Sequence, residues 1–135
     1  MKEKVCPVIV RTKNGVRQIL AFKHPVAGKQ LVKGGIDAGE LLEHAARREL
    51  AEESGISEVH PGEFLGEWLN ADSKQKWFFF RFEHTESMPE EWEFFTSDGG
   101  GLLFKFFWFD LDEAPREDWH PVFVNALVQI RSFLS

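Results

Sequence analysis

Gly34-Gly35-Ile36-Asp37-Ala38-Gly39-Glu40-Leu41-Leu42-Glu43-His44-Ala45-Ala46-Arg47-Arg48-Glu49-Leu50-Ala51-Glu52-Glu53-Ser54-Gly55-Ile56 is the stretch on which the reading of this 135-residue chain turns. Three glycines crowd its entrance, where a positive φ or a close backbone approach is usual. From Leu41 to Ser54 the spacing predicts a helix. At about 100° per residue, Leu42, Ala45 and Ala46 fall on one arc with Glu49, Glu52 and Glu53 among them, while Glu43, His44, Arg47 and Ser54 lie opposite. A surface helix turns its carboxylates away from its apolar stripe. This one is expected to turn three of them inward.

Such a placement is costly. Glu49 neighbours Glu52 at i+3 and Glu53 at i+4, and all three sit near the negative end of the helix dipole. Two like charges about 5 Å apart at an effective dielectric of about 20 repel by roughly 3 kcal/mol, so three such pairs rival the stability of a small domain. A bound cation removes that penalty. Oxygen-only ligands suit Mg²⁺, with Mn²⁺ as a substitute. A solvated charged stripe paired with Arg47 and Arg48 accounts for Glu43, but not for acids on the leucine and alanine arc.

The nine fixed positions Gly34, Glu40, Arg48, Glu49, Leu50, Glu52, Glu53, Gly55 and Ile56 match the full signature of the Nudix hydrolase family, which the chain resembles. At average residue frequencies they coincide by accident on the order of once per 10⁸ to 10⁹ starting points. The resemblance implies hydrolysis of a nucleoside diphosphate linked to another group, with Mg²⁺ or Mn²⁺ as cofactor. It also implies metal ligation by Glu49, Glu52 and Glu53, with one carboxylate as general base, a position that differs among family members; Glu52 is the first candidate for it here and Glu49 the second. Arg48 would orient a glutamate, and Glu40 would support the metal shell through water. Two departures stand out: Val32 and Lys33 occupy the place where proline is frequent before the glycines, and Asp37 stands where glutamate is more usual. Lys33, Gly34, Gly35 and Gly39 are the candidates to meet phosphate, with Lys23 and Lys29 further off.

The remaining sequence predicts strands at Lys4–Thr12 and Val16–His24, joined by an Asn14-Gly15 turn, then at Gln30–Val32, Gly62–Leu69, Gln75–Glu83 and Leu102–Asp110. Pro121 opens a closing helix whose apolar face runs Val122, Phe123, Ala126, Leu127, Ile130, Phe133 and Leu134. This order suggests one domain over residues 1–135. Its expected class is α/β, a Nudix-like α/β/α sandwich with a mixed sheet between the signature helix and the C-terminal helix. The 86–101 stretch reads as a mobile, solvated connection, although one of Glu90, Glu91, Glu93 and Asp98 could complete the metal shell.

Most rings of the aromatic runs Trp77-Phe78-Phe79-Phe80 and Phe106-Phe107-Trp108-Phe109 belong to a core, because both faces of a sandwiched sheet are covered. Phe22, Trp68 and Trp77 are the candidates to stack on a nucleobase. The five histidines show no zinc-ligand spacing, and His120 before Pro121 reads as a helix-start residue. A single cysteine, Cys6, in an apolar run reads as core, and its isolation suits a reducing cytoplasm. No apolar run is long enough for a membrane span. A net charge of −6 opposes long nucleic acid and makes metal part of any site for a small anionic nucleotide. Oligomeric state is open. Two readings follow: a metal-dependent pyrophosphohydrolase acting on a nucleoside triphosphate, a dinucleoside polyphosphate or a nucleotide sugar, or a related module that binds such a ligand without cleaving it.

Overall fold

A computed structural model describes residues 1–97 and 100–135. Asp98, one of the acids considered in the 86–101 stretch, lies outside the described residues. Asn14 and Gly15 both take positive φ, 52° and 79°, the turn geometry that suits the twist of two antiparallel strands. Through it β1 (Lys2–Lys13) folds back into β2 (Val16–His24), with Lys13 opposite Val16.

Strand β1 is shared between two halves of the sheet. Along Lys2–Ile9 it runs parallel to β6 (Gln75–Phe82), and along Val10–Lys13 it pairs with β2. With β5 (Glu63–Asn70), β7 (Trp92–Thr96) and β8 (Leu102–Asp110), the order is β5-β6-β1-β2-β8-β7. Two short strands sit off this path: β3 (Gly28–Gln30) pairs with β2, and β4 (Gly34–Gly35) pairs with Lys4 and Val5. The glycine loop is therefore stitched to the middle of the sheet, on the edge of β1 that β2 has left.

Side chains alternate between the faces as a pleat requires. Val5, Ile9, Phe22, Phe78, Phe80, Phe82, Phe104 and Phe106 pack with Ala45, Ala46 and Leu50 of α1 (Leu42–Ser54). Cys6, Val8, Ile19, Ala21, Trp77, Phe79 and Phe109 pack with Phe123, Ala126, Leu127 and Ile130 of α2 (Pro121–Leu134). The mixed sheet thus lies between two helices, the expected α/β/α arrangement. Burying each large side chain contributes about 1.5–3 kcal/mol, so this double layer is the main source of cohesion. Cys6 is fully covered, and burial pushes its thiol up. His120 caps α2, its Nδ1 accepting from the Val122 amide at 3.2 Å.

Two expectations need correction. Instead of one strand at Gln30–Val32, the ladder ends at Gln30, and Leu31 and Val32 drop into opposite core layers. Their hydrophobicity reflects burial, not pairing. Within 86–101, β7 replaces the solvated connection expected there. Trp92, Phe94 and Thr96 alternate with Glu93 and Phe95 and pair with Leu102–Phe106 of β8, a period of two that the surrounding acids obscured. Among the described residues, no helix is long and apolar enough to cross a membrane.

Candidate active site

The acidic end of α1 is organised around one guanidinium. Arg48 grips Glu40 with two bonds, Nε to Oε2 and Nη2 to Oε1, both 2.9 Å. Its Nη2 also donates to the Gly35 carbonyl at 3.0 Å, so the glycine loop is tied to the helix. From the other side, Nη1 reaches Glu49 Oε1 at 2.9 Å and Glu52 Oε2 at 3.3 Å, while Asp37 Oδ2 stands 3.5 Å from Nε. Glu40 is fixed further by the Asp37 amide, which donates to its Oε1 at 2.9 Å. The Arg48 guanidinium first, and that amide second, hold the Glu40 carboxyl down to about 2. Bidentate, charge-assisted contacts of this kind are among the stronger polar interactions in proteins.

Gly34 lies against the carboxylate of Glu49. A Cβ built on Gly34 would run into Glu49 Cδ and both carboxylate oxygens, so Glu49 keeps its present place on Arg48 only beside a residue without a side chain. Gly35 is less confined, a Cβ there lying 3.9 Å from Lys4 Nζ. Gly39 takes φ +76° in open space.

The inward trio is corrected to an inward pair with a third acid at the rim. Glu49 and Glu53 are 8% exposed, whereas the Glu52 side chain is 45% exposed. Ser54, expected on the outer side, is buried and donates to the Leu50 carbonyl. The reason is the orientation of the helix: the buried arc, from Ala45 round to Ser54, is centred roughly 50° from Glu49 on the side of Leu50, and Glu52 lies roughly 60° the other way. Ser54 falls within that arc and Glu52 just outside it.

The donor atoms gathered here are carboxylate oxygens, with one guanidinium facing Asp37, Glu40, Glu49 and Glu52. Acids outnumber the cation. That chemistry, with a glycine leaving room for the Glu49 carboxylate itself, fits a hard divalent cation, which Glu49, Glu52 and Glu53 could hold. Among the described residues no three His, Cys, Asp or Glu side chains already converge as a metal shell; Arg48 bridges Glu49 and Glu52 instead.

Two lysines border the glycine loop. Lys33 is lowered from the usual lysine range, by burial first and the nearby Lys4 ammonium second, and its Nζ lies 5.1 Å from the centre of the Trp77 ring. Lys4 pairs with Gly35 across β1 and β4 and with Trp77 across β1 and β6. Sequence reasoning missed Lys4 as a site residue, since a lysine before an apolar strand gives no cue to a partner 31 positions away. Lys23 and Lys29 lie apart from this loop, on the β2–β3 pair, with Lys29 bound to Asp118 at 2.7 Å.

Two of the three stacking candidates are corrected. Phe22 is 1% exposed and stacked on Phe104 at 4.2 Å, and Trp77 is fully covered between Trp68 and Phe123. Both lie mid-strand in a sheet covered on both faces, so the layers close over them. Trp68 keeps part of its ring open, in a cleft of about 280 Å³ with Asn70, Asp72, Asn125 and Gln129. Of the later acids, Glu90 is bound by Arg11 at 2.6 Å and Lys13 at 2.7 Å, at the end of β1 remote from Lys4. Those two cations hold its carboxyl at about 2. Glu91 and Glu93 line a separate cleft of about 420 Å³ with Lys23 and Lys105.

A mixed sheet between two helices, with an arginine-bridged glutamate cluster under a glycine loop, is the architecture of a carboxylate-lined site on the end of a helix. Residues 3–127 match the family model described as NUDIX domain, and the chain belongs to that family. An RNA pyrophosphohydrolase from Brucella ovis is 39% identical over a match covering 43% of this chain and 42% of that protein. The chain thus spans less than half the length of the curated relatives it matches. The crystal structure of a C. elegans Ap4A hydrolase binary complex superposes with TM-score 0.65 at 18% identity, covering 99% of this chain and 98% of the other. The NUDIX domain of Shewanella oneidensis NrtR, complexed with ADP ribose, superposes with TM-score 0.67 at 16% identity, covering 100% and 89%. At these identities the likeness is one of fold.

Proposed function

We propose that this chain is a metal-dependent hydrolase that cleaves the diphosphate linkage of a nucleotide derivative. The observation that carries the reading is the packing of Gly34 against Glu49, with Arg48 bridging Glu40, Glu49 and Glu52. Nothing in the packing of a helix requires that many acids around one arginine, and a site for a divalent cation that meets phosphate does. Mg²⁺ or Mn²⁺, when bound, would neutralise phosphate charge and acidify a water. Glu49, Glu52 and Glu53 are the residues to hold it.

The chain's own side chains divide the remaining work. Glu52 is the general base: it is the exposed acid of the three, and a base must reach the water whose proton it takes. Glu49 stands second, since Arg48 and Gly34 restrict its carboxylate. Arg48 keeps both glutamates aimed, and Glu40 keeps Arg48 in place. Lys33 and the Gly34–Gly35 backbone receive phosphate; Trp68 keeps an open ring but sits on the α2 side of the sheet beside Asn125 and Gln129, away from the acids, and is not assigned to the base.

The substrate class is a nucleoside triphosphate, a dinucleoside polyphosphate or a nucleotide sugar such as ADP-ribose. The RNA pyrophosphohydrolase relatives add the end of an RNA chain. The net charge of −6 favours the small molecules over a long nucleic acid. Incubation with such a panel and Mg²⁺, followed by chromatography, tests the reading. Turnover of at least one member is expected, and Glu52→Gln should lower it at least about 100-fold while leaving the fold unchanged. Binding without turnover by the wild-type protein would instead support a ligand-recognition module.

A further inference from the structure

The last turn of α1 carries Glu52 and Glu53, and its carbonyls lie where the helix has no further amides to offer them. Each described contact there has a specific donor. Ser54 Oγ donates to the Leu50 carbonyl, and the Gly55 amide, at φ +79°, donates to the Ala51 carbonyl at 2.9 Å. The other two donors come from β7. Thr96 Oγ1 donates to the Glu52 carbonyl at 3.1 Å, and Trp92 Nε1 donates to the Ser54 carbonyl at 3.3 Å.

These two side chains are themselves held. Thr96 is 1% exposed, and the Trp92 indole lies parallel to Phe106, 5.0 Å away at 7°. Between them Phe94 rests against Gly55, so close that a Cβ there would meet its Cε1 at 2.8 Å. Three alternate residues of one strand therefore touch residues 52, 54 and 55 of one helix turn. Ordinary helix-on-sheet packing needs apolar contact only. Hydrogen bonds from a strand into the main chain of an acidic turn fix where its carboxylates start from.

We propose that Thr96 and Trp92 are positioning residues, which hold the end of α1 so that the Glu52 and Glu53 carboxylates keep their aim at the bound divalent cation. The inference rests on the metal-dependent reading above. Groups that orient metal ligands from outside are worth about 10- to 100-fold in metal affinity, and a main-chain contact belongs at the low end of that range.

Mn²⁺ binding, followed by electron paramagnetic resonance on the full chain without substrate, tests it independently of turnover. Thr96→Val keeps the shape and removes the donor, and should weaken Mn²⁺ binding roughly 10-fold, whereas Thr96→Ser should stay near wild type. Trp92→Phe should weaken it in the same direction. Leu134→Ala, at the far end of α2, provides a stability control that should lower Tm without moving Mn²⁺ affinity. In turnover the Thr96→Val defect should appear as a higher Mg²⁺ requirement, with kcat recovering at saturating Mg²⁺. Wild-type Mn²⁺ affinity in Thr96→Val overturns the proposal, as does parallel loss of affinity and Tm in Leu134→Ala. A wild-type protein that binds Mn²⁺ with this pattern yet hydrolyses nothing on the panel sinks the hydrolase reading alone. One that binds no Mn²⁺ sinks both.

Discussion

Glu40 and Gly34 make the demands on single residues most plainly. The Glu40 carboxyl titrates at about 2 in the folded chain, against about 4.3 for an unperturbed glutamate. Its folded value is the lower one, so the unfolded chain binds more protons between those limits. The pair's contribution to stability is therefore complete above about pH 4.3, declines as pH falls, and is gone near pH 2. Glu40→Gln should lower Tm at pH 7, and the gap from wild type should close as thermal melts are taken down toward pH 2. At Gly34 the demand is steric: Gly34→Ala should remove nearly all activity by displacing Glu49, whereas Gly35→Ala, with only Lys4 Nζ at 3.9 Å, should lose far less. Steady-state kinetics on the two variants decides it, and equal losses would refute the steric account. These residues were legible in the sequence because glycine and acid spacing are local. The exposure of Glu52 was not, because a helical wheel gives relative angles and only the packed sheet sets which way the wheel faces. Phe22 and Trp77 illustrate the same gap, since an aromatic side chain in a strand looks alike whether or not a second layer covers it.

Among the elements, α1 depends on its ending more than on its beginning. Its N-cap, Leu41, supplies no side-chain bond, while Gly55 closes the other end in the left-handed region with its amide on Ala51. Gly55→Ala combines a φ that alanine tolerates poorly with a collision against Phe94. A loss of more than about 1 kcal/mol is expected in urea denaturation, together with weaker metal activation, because the disturbed turn carries Glu52 and Glu53. Unchanged activation alongside reduced stability would separate the cap from the site. Hairpin, signature helix and α2 could be read from the chain because each announces itself locally, through Asn14-Gly15, the glycine-bounded acids and Pro121 with its apolar stripe. Strand β7 could not. Its five residues sit among Glu86, Glu90, Glu91 and Glu93, and its identity comes from pairing with β8 and from the helix end it supports. Strand β4 is subtler, two glycines whose ladder with Lys4 and Val5 exists only because β2 has left that edge of β1.

Across the whole molecule, the sheet divides labour between its faces. The α1 layer positions the acids, whereas the α2 layer, built on Trp77, Phe79, Phe123, Ala126, Leu127 and Ile130, supplies cohesion on the opposite side. Both layers share β1 and β6, so unfolding should be cooperative while function is sensitive to only one of them. Leu50 and Leu127 are equivalent probes, 1% and 0% exposed, one in each layer. Replacing either by alanine should cost about 2–5 kcal/mol, the range for a buried leucine whose cavity closes only in part. The two variants should therefore show similar midpoint shifts in urea. Their activities, measured at low temperature where both are folded, should diverge. Leu127→Ala is expected to retain close to wild-type kcat with an unchanged Mg²⁺ requirement, because the strands between it and Glu49 remain paired. Leu50→Ala leaves a void beneath the turn that bears Glu49 and Glu53, so its metal requirement should rise and its kcat fall. Matching losses of activity in both variants would mean that the sheet transmits core defects to the site, and the faces would then have to be treated as one mechanical unit.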